Sequence, residues 1–184
     1  MNKKVYGLLG RSISYSFSIG YFKEKFDVLQ LDNCQYQNFD IENIKGFASI
    51  INKYKESLYG LNVTIPYKES IIPFLDELDA VASEIGAVNT IKFLENGRLK
   101  GYNTDVVGFQ KSLEPMLDEQ HKKALILGTG GAAKAIAYVL AKLGIDFLSV
   151  SRNPQGVGEI SYADLDVKKI GDHKIIINCT PLGT

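Results

Sequence analysis

Hydrophobic positions along the chain change their period several times, and each change marks the passage from strand to helix or back. Residues 5–9 predict a strand, and 17–29 space their apolar positions as an amphipathic helix. Residues 35–39 predict a second strand and 41–54 a second helix. The segment 58–63 is a strong strand, stopped by Pro66. Short helices are expected over 67–75 and 77–85. Strands over 88–94 and 99–102 make a hairpin across Glu95-Asn96-Gly97-Arg98, where Asn-Gly is the turn signal. Thr104 is placed to cap a linking helix that runs to Leu117, ended by the polar stretch 118–123. A strand over 124–127, a helix over 131–143 and strands over 146–150 and 174–178 follow. This alternation predicts an α/β fold in two domains, 1–103 and 104–184.

Between the first strand and the helix of the later part stands Gly128-Thr129-Gly130-Gly131-Ala132-Ala133, a Gly-x-Gly-x-x-Ala turn. In a dinucleotide-binding turn Gly128 allows the tight bend, and Gly130 lets the backbone approach a pyrophosphate. Ala133 lets the helix lie close on the strand, and the helix N-terminus faces the phosphates. A complete doubly wound domain has six strands, and only three are counted after Thr104. The chain stops at Thr184, directly behind a strand. Either it is a fragment, or the other half comes from elsewhere.

Composition narrows the classes. The 184 residues are 45% hydrophobic and 23% charged, as in ordinary globular proteins. Lys+Arg and Asp+Glu number 21 each, so nothing attracts nucleic acid or an anionic membrane in general. The ten tyrosines are scattered without basic interleaving, which argues against base stacking. Cys34 and Cys179 lack metal-ligand spacing and are read as reduced thiols; no metal is expected. Glycines at 7 and 10 come too soon for a signal-peptide core, and no apolar run approaches the ~20 residues of a membrane span. These readings together predict a cytoplasmic protein. His121 and His173 are read as solvated.

Two strand ends carry candidate chemistry. Lys68 lies just past the strand in Gly60-Leu61-Asn62-Val63-Thr64-Ile65-Pro66-Tyr67-Lys68, and Asp105 closes Gly101-Tyr102-Asn103-Thr104-Asp105. Strand ends can converge on one crevice, where a lysine and an acid can move a proton to or from a hydroxyl or carbonyl. An ordinary ion pair with a helix N-cap explains the same spacing. Ser16 and Ser18 stand two apart on an expected extended segment before a helix, where Ser-x-Ser read alone is a helix cap. After the strand 146–150, Ser151-Arg152-Asn153 lacks the acid that accepts from a ribose 2′-hydroxyl, and Arg152 suits a 2′-phosphate.

These segments resemble shikimate dehydrogenase, the NADP-dependent reductase of the aromatic-amino-acid pathway. The similarity runs in order through Gly7-Leu8-Leu9-Gly10, Ser16-Phe17-Ser18, Gly60 to Lys68, Ile85-Gly86-Ala87-Val88-Asn89-Thr90, Gly101 to Asp105, Gly128 to Ala133, and Asn178-Cys179-Thr180-Pro181-Leu182-Gly183. It implies a mixed-sheet α/β/α substrate domain over 1–103 and the first half of a Rossmann-like NADP-binding domain over 104–184. It further implies reversible reduction of 3-dehydroshikimate to shikimate, with Lys68 and Asp105 as catalytic residues and Ser16, Ser18, Thr64 and Asn89 as substrate contacts. Gly128, Thr129, Gly130, Gly131, Ala132, Ser151, Arg152 and Thr180 are implied to hold NADP. Tyr15 stands where the family has histidine and Ile19 where it has proline, so altered packing or affinity is expected. Gln155 and Gly156 supply no second charge beside Arg152, which predicts a weaker preference for NADP. Two alternatives stand beside this: an NAD-using quinate/shikimate dehydrogenase, and a non-catalytic fragment that self-associates through an exposed sheet edge.

Overall fold

The structure is a computed structural model that describes residues 3–182. Met1, Asn2, Thr184 and Gly183, which closes the motif begun at Asn178, lie outside the described residues. The chain divides into two compact units, Met1–Asn103 and Thr104–Thr184.

The first unit is built on a sheet of β1 (Lys4–Gly10), β2 (Cys34–Asp40), β3 (Leu58–Val63), β4 (Glu77–Leu78), β5 (Thr90–Phe93) and β6 (Leu99–Tyr102) in the order β2-β1-β3-β5-β6-β4. β1 is parallel to β2 and β3, whereas β5 runs antiparallel to β3 and β6. Helices α1 (Ser18–Val28), α2 (Phe47–Tyr54) and α3 (Ala80–Ile85) complete it. Alternation along each strand sorts the side chains into two faces. Val5, Leu9, Leu61, Val63 and Ile91 form one core with Phe47 and Ile50 of α2. Burying side chains of this size contributes ~1.5–3 kcal/mol each. The other face is polar and aromatic: Tyr6 is level with Tyr36, and Asn62 is level with Leu8 and Thr90. Phe22 of α1 stacks on Tyr36 with ring centroids 4.3 Å apart.

Three expectations for this unit need correction. The segment 67–75 is not a helix; turns lead to a single 3-10 turn, Ile72–Phe74. Residues 77–85 begin as a strand, because Glu77–Leu78 pairs with β6 and Glu77 meets Arg98 at 2.9 Å. The helix starts only at Ala80, where the Asp79 carboxylate accepts from the Ala82 N–H at 2.8 Å. The helix expected over 41–54 is a 3-10 turn, Ile44–Gly46, followed by α2.

The second unit holds a parallel sheet of β7 (Lys123–Leu127), β8 (Asp146–Ser151), β9 (Glu159–Ser161) and β10 (Ile175–Asn178), ordered β10-β7-β8-β9. Its helices are α4 (Asp105–Leu113), α5 (Gly131–Lys142) and α6 (Val167–Asp172). Ala124, Leu125 and Ile126 are all buried, the mark of a central parallel strand covered on both faces. Ile126, Ile136, Leu140 and Ile175 pack together with Phe109 and Leu113 of α4.

Here too the sequence reading is corrected. The sheet has four strands rather than three, since β9 pairs in parallel with β8. α6, started by Asp166 accepting from the Lys169 N–H at 2.6 Å, was not foreseen. The linking helix ends at Leu113, a 3-10 turn Glu114–Met116 follows, and the Thr104 side chain makes no capping bond. His173 is buried, not solvated: Nδ1 lies 2.6 Å from the Lys169 carbonyl oxygen at the end of α6. His121 is half-buried, with Nδ1 2.9 Å from the Asp118 carboxylate. Among the described residues no helix is long and apolar enough to cross a membrane.

Candidate active site

Within the first unit, the loop after β1 is held by Asp40 at the end of β2. Its carboxylate accepts from the Ser12 and Ile13 N–H groups at 2.8 and 3.0 Å. The loop then turns, with Ser16 N–H donating to the Ile13 carbonyl at 3.1 Å, and enters α1. Ser16 and Ser18 therefore do not sit on an extended segment: Phe17 between them is helical, and Ser18 is the first residue of α1. Their hydroxyls still converge. Ser16 donates to Ser18 Oγ at 3.0 Å, and the Ser18 N–H donates back to Ser16 Oγ at 3.2 Å.

From Tyr36 on β2 a line of polar groups crosses the polar face of the sheet, with the Ser18 side chain beside its hydroxyl. Tyr36 donates to Asn62 Oδ1 on β3 at 2.9 Å, and Asn62 Nδ2 donates to Thr90 Oγ1 on β5 at 3.4 Å. Thr90 in turn donates to Asn89 Oδ1 at 3.0 Å. Burial pushes the Tyr36 phenol up to about 12, with the Ser18 bond opposing, so the hydroxyl keeps its proton at neutral pH. Tyr36, Asn62 and Thr90 were not singled out from the sequence. Asn62 stands two residues before Thr64 at the end of β3, and that spacing is the available signal.

Thr64 and Lys68 lie on the segment after β3. The Thr64 N–H donates to the Leu9 carbonyl at 2.9 Å, and its carbonyl accepts from the Tyr67 N–H at 2.9 Å. A Cβ at Gly10 would stand 2.7 Å from Thr64 Cγ2, so only glycine lets these two segments meet so closely. Lys68 is half-buried, and its carbonyl accepts from the Val88 N–H at 2.7 Å. Asn89 is fixed from both sides: its carbonyl accepts from Val63 at 2.8 Å and its N–H donates to Tyr102 at 3.0 Å. The segments bearing Lys68 and Asn89 are thus tied together by backbone bonds. Asp105 belongs to the second unit, as the first residue of α4.

The glycine turn of the second unit needs its glycine. Gly128 has φ of 110°, a conformation that strains any L side chain, and a Cβ there would approach the Cys179 carbonyl oxygen to 3.1 Å. Gly130 caps α5 in an extended conformation, and a Cβ there would meet nothing within 4 Å. The space before the helix N-terminus is open at that point. Thr129 is exposed, Gly131 and Ala132 are half-buried, and Ala133 is buried against the sheet. Thr180 follows β10, next to β7 in the sheet, and its Cγ2 would lie 3.4 Å from a Cβ at Gly128. Asn178 Oδ1 accepts from the Thr180 N–H at 3.0 Å and hydroxyl at 2.7 Å. At the end of β8, Ser151 Oγ accepts from the Asn153 N–H at 3.2 Å, and Arg152 is exposed. This donor set fits a dinucleotide phosphate group: free helix N–H groups, an open glycine approach and a guanidinium.

Known proteins resemble this chain along nearly all of its length. Residues 8–91 match the model of the shikimate dehydrogenase substrate binding domain. The NADP(+) shikimate dehydrogenase of Methanosphaera stadtmanae is 38% identical to the chain, covering 96% of it and 68% of that protein. The chain belongs to the shikimate dehydrogenase family. Solved members of the family share the fold. Shikimate dehydrogenase 1 of Peptoclostridium difficile is 36% identical with a TM-score of 0.83, covering 100% of this chain and 68% of that one. The shikimate 5-dehydrogenase of Thermus thermophilus, solved with NADP(H) and shikimate, is 28% identical with a TM-score of 0.81, covering 96% and 68%. The two departures from the family pattern, Tyr15 and Ile19, are exposed at 73% and 41%, and the Ser16–Ser18 pairing is intact beside them.

Proposed function

We propose that this chain is the NADP-dependent shikimate dehydrogenase of a cytoplasmic aromatic-amino-acid pathway, interconverting 3-dehydroshikimate and shikimate. The observation that carries the reading is the hydroxyl and amide set of the first unit, with Ser16 and Ser18 paired at 3.0 Å and Asn89 joined to Tyr36 through Asn62 and Thr90. It sits in a chain 38% identical to an NADP(+) shikimate dehydrogenase. A hydroxylated ring acid needs donors for a carboxylate and groups that both donate and accept for its hydroxyls. Ser16 and Ser18 meet the first need; Thr64 and Asn89 meet the second.

Gly128, Thr129, Gly130, Gly131, Ala132, Ser151, Arg152 and Thr180 would hold NADP, with Arg152 on the 2′-phosphate. The cofactor, when bound, supplies or accepts the hydride. Lys68 and Asp105 manage the proton at the substrate oxygen: one gives it up as a carbonyl becomes an alcohol and recovers it in reverse. Such proton management contributes typically 10²–10⁴-fold in rate. The Lys68 main chain is tied to Val88, which limits the wandering of a long side chain during that step. The reading extends to association between copies. β10 is a sheet edge whose Ile176 is 55% exposed, a surface that invites pairing with another chain.

The test is shikimate-dependent reduction of NADP⁺ followed spectroscopically, with Lys68→Ala beside it. Turnover should fall about 10²–10⁴-fold in the variant while KM for shikimate changes little. Turnover that survives the substitution would remove Lys68 from the chemistry. A chain that binds neither shikimate nor NADP⁺ would overturn the assignment.

A further inference from the structure

We infer that Asp40 and Asn38 of β2 are positioning residues for the substrate carboxylate. Together they clamp Ile13, and through it they fix the Ser16–Ser18 hydroxyl pair. The inference rests on the substrate assignment above and concerns only the first unit.

The serine pair is not held by its own segment. Tyr15 and Phe17, on either side of Ser16, are exposed at 73% and 81%, and α1, which Ser18 opens, has no buried residue. Between β1 and α1 the one buried side chain is Ile13. It lies against the end of β1, where a Cβ at Gly10 would stand 2.5 Å from Ile13 Cγ2. The placement of both hydroxyls therefore depends on a single anchor upstream of Ser16.

β2 holds that anchor on both sides of the residue. Asp40 Oδ1 accepts from the Ser12 N–H at 2.8 Å and Oδ2 from the Ile13 N–H at 3.0 Å, so each carboxylate oxygen has its own donor. These bonds keep Ser12 at φ of 55°, a left-handed conformation that a serine adopts only at a cost. On the other side, the Ile13 carbonyl accepts from Asn38 Nδ2 at 3.0 Å and from the Ser16 N–H at 3.1 Å. One carbonyl thus receives both the hold of the strand and the turn of the loop. From Ser16 the connection is direct: its hydroxyl donates to Ser18 Oγ at 3.0 Å and accepts from the Ser18 N–H at 3.2 Å.

Asn38 separates this role from simple stability. Its Oδ1 is buried with no hydrogen-bond partner among the described residues, a cost that an apolar side chain of the same shape would not carry. Asn38 is level with Leu8 on β1, so such a side chain would meet an apolar neighbour. What the amide supplies instead is the bond to Ile13. Two hydroxyls held at fixed spacing meet both oxygens of a carboxylate without having to be ordered as it binds; a loosened loop restores that cost.

Shikimate and its methyl ester, titrated calorimetrically into the 184-residue chain, test this. Asp40→Ala should weaken shikimate binding about fivefold to tenfold, the worth of one or two hydrogen bonds, and leave NADP⁺ affinity unchanged. The ester should lose less, because its uncharged oxygens gain less from two aligned donors. A merely structural aspartate would lower the melting temperature without moving the ratio of acid to ester affinity. Asn38→Leu should weaken shikimate binding about threefold while the melting temperature holds or rises. Unchanged shikimate affinity in Asp40→Ala, an equal loss for acid and ester, or a lowered melting temperature with unchanged affinity in Asn38→Leu would each overturn the proposal. Should Asp40→Ala not fold, Asn38→Leu decides: unaltered shikimate affinity overturns it. Absence of shikimate binding by the unmodified chain would overturn the functional reading, and this proposal with it. Binding that is indifferent to both variants sinks this proposal alone.

Discussion

The candidate substrate groups of the first unit come from side chains on β2, β3, the β5 strand start and the loop before α1, hydrogen-bonded across the sheet. The candidate cofactor groups of the second unit are mostly main chain: a glycine at φ 110°, an open approach at Gly130 and the N-terminus of α5. A site made of backbone is written in a few adjacent residues, because glycine is what the conformation demands. A site made of side chains across strands is written nowhere in particular. Tyr36 and Asn62 become neighbours only because β2 and β3 flank β1 in one register. The first kind tolerates changes of side chain and fails on a change of backbone; the second does the reverse.

The sharpest way to break that contrast is Gly128→Ala. A methyl at φ 110°, 3.1 Å from the Cys179 carbonyl oxygen, has to displace the turn, at a cost of about 1–3 kcal/mol. NADP⁺ affinity measured by calorimetry should fall at least tenfold while shikimate affinity holds. Equal damage to both ligands would erase the distinction.

Arg152→Ala sharpens it with a smaller effect, as Arg152 is the one charged side chain assigned to the backbone-built site. The NADP⁺ dissociation constant should rise about tenfold, the loss of a charge-assisted contact, and that for NAD⁺ should hardly move. A parallel rise for both would mean that Arg152 does not read the 2′-phosphate.

The smallest effect concerns pH. Tyr36 titrates near 10.0 when unfolded and about 12 when folded, so its contribution to stability is complete below pH 10 and is lost as pH rises toward 12. Denaturant unfolding across that window should fall less steeply with pH in Tyr36→Phe than in the unmodified chain. Tyr6 and Tyr67, also raised by burial, contribute equally to both proteins and cancel. Identical slopes would mean that Tyr36 is not held protonated by the fold.

Much of the architecture was legible beforehand, and the misses share a cause. The strand Leu58–Val63 and the hairpin of β5 and β6 follow from runs of β-formers and an Asn-Gly turn, with Gly97 at φ 80°. β4 was mistaken for helix because two residues carry no period. It is a strand through its pairing with β6 and the bond from the Leu99 N–H to the Asp76 carboxylate at 2.7 Å. β9, three residues long, was missed for the same reason. A turn into α1, not the extended segment that the spacing predicts, brings the Ser16 and Ser18 hydroxyls together.

By itself the sequence determined what depends on neighbours along the chain. That includes the strand and helix periods, the glycine turn before α5, the arginine without a nearby acid after β8, and the ordered motifs that carry the family resemblance. Tertiary structure alone decided what depends on register and burial. It buried His173 beneath the end of α6, made a strand of Glu77–Leu78, and lined up Tyr36, Asn62, Thr90 and Asn89 in one chain of hydrogen bonds. The physical reason is the reach of the forces involved. Local propensity acts over a few residues and can be read from one end to the other. A hydrogen bond between strands exists only once the sheet has brought residues far apart in sequence to within about 3 Å of each other.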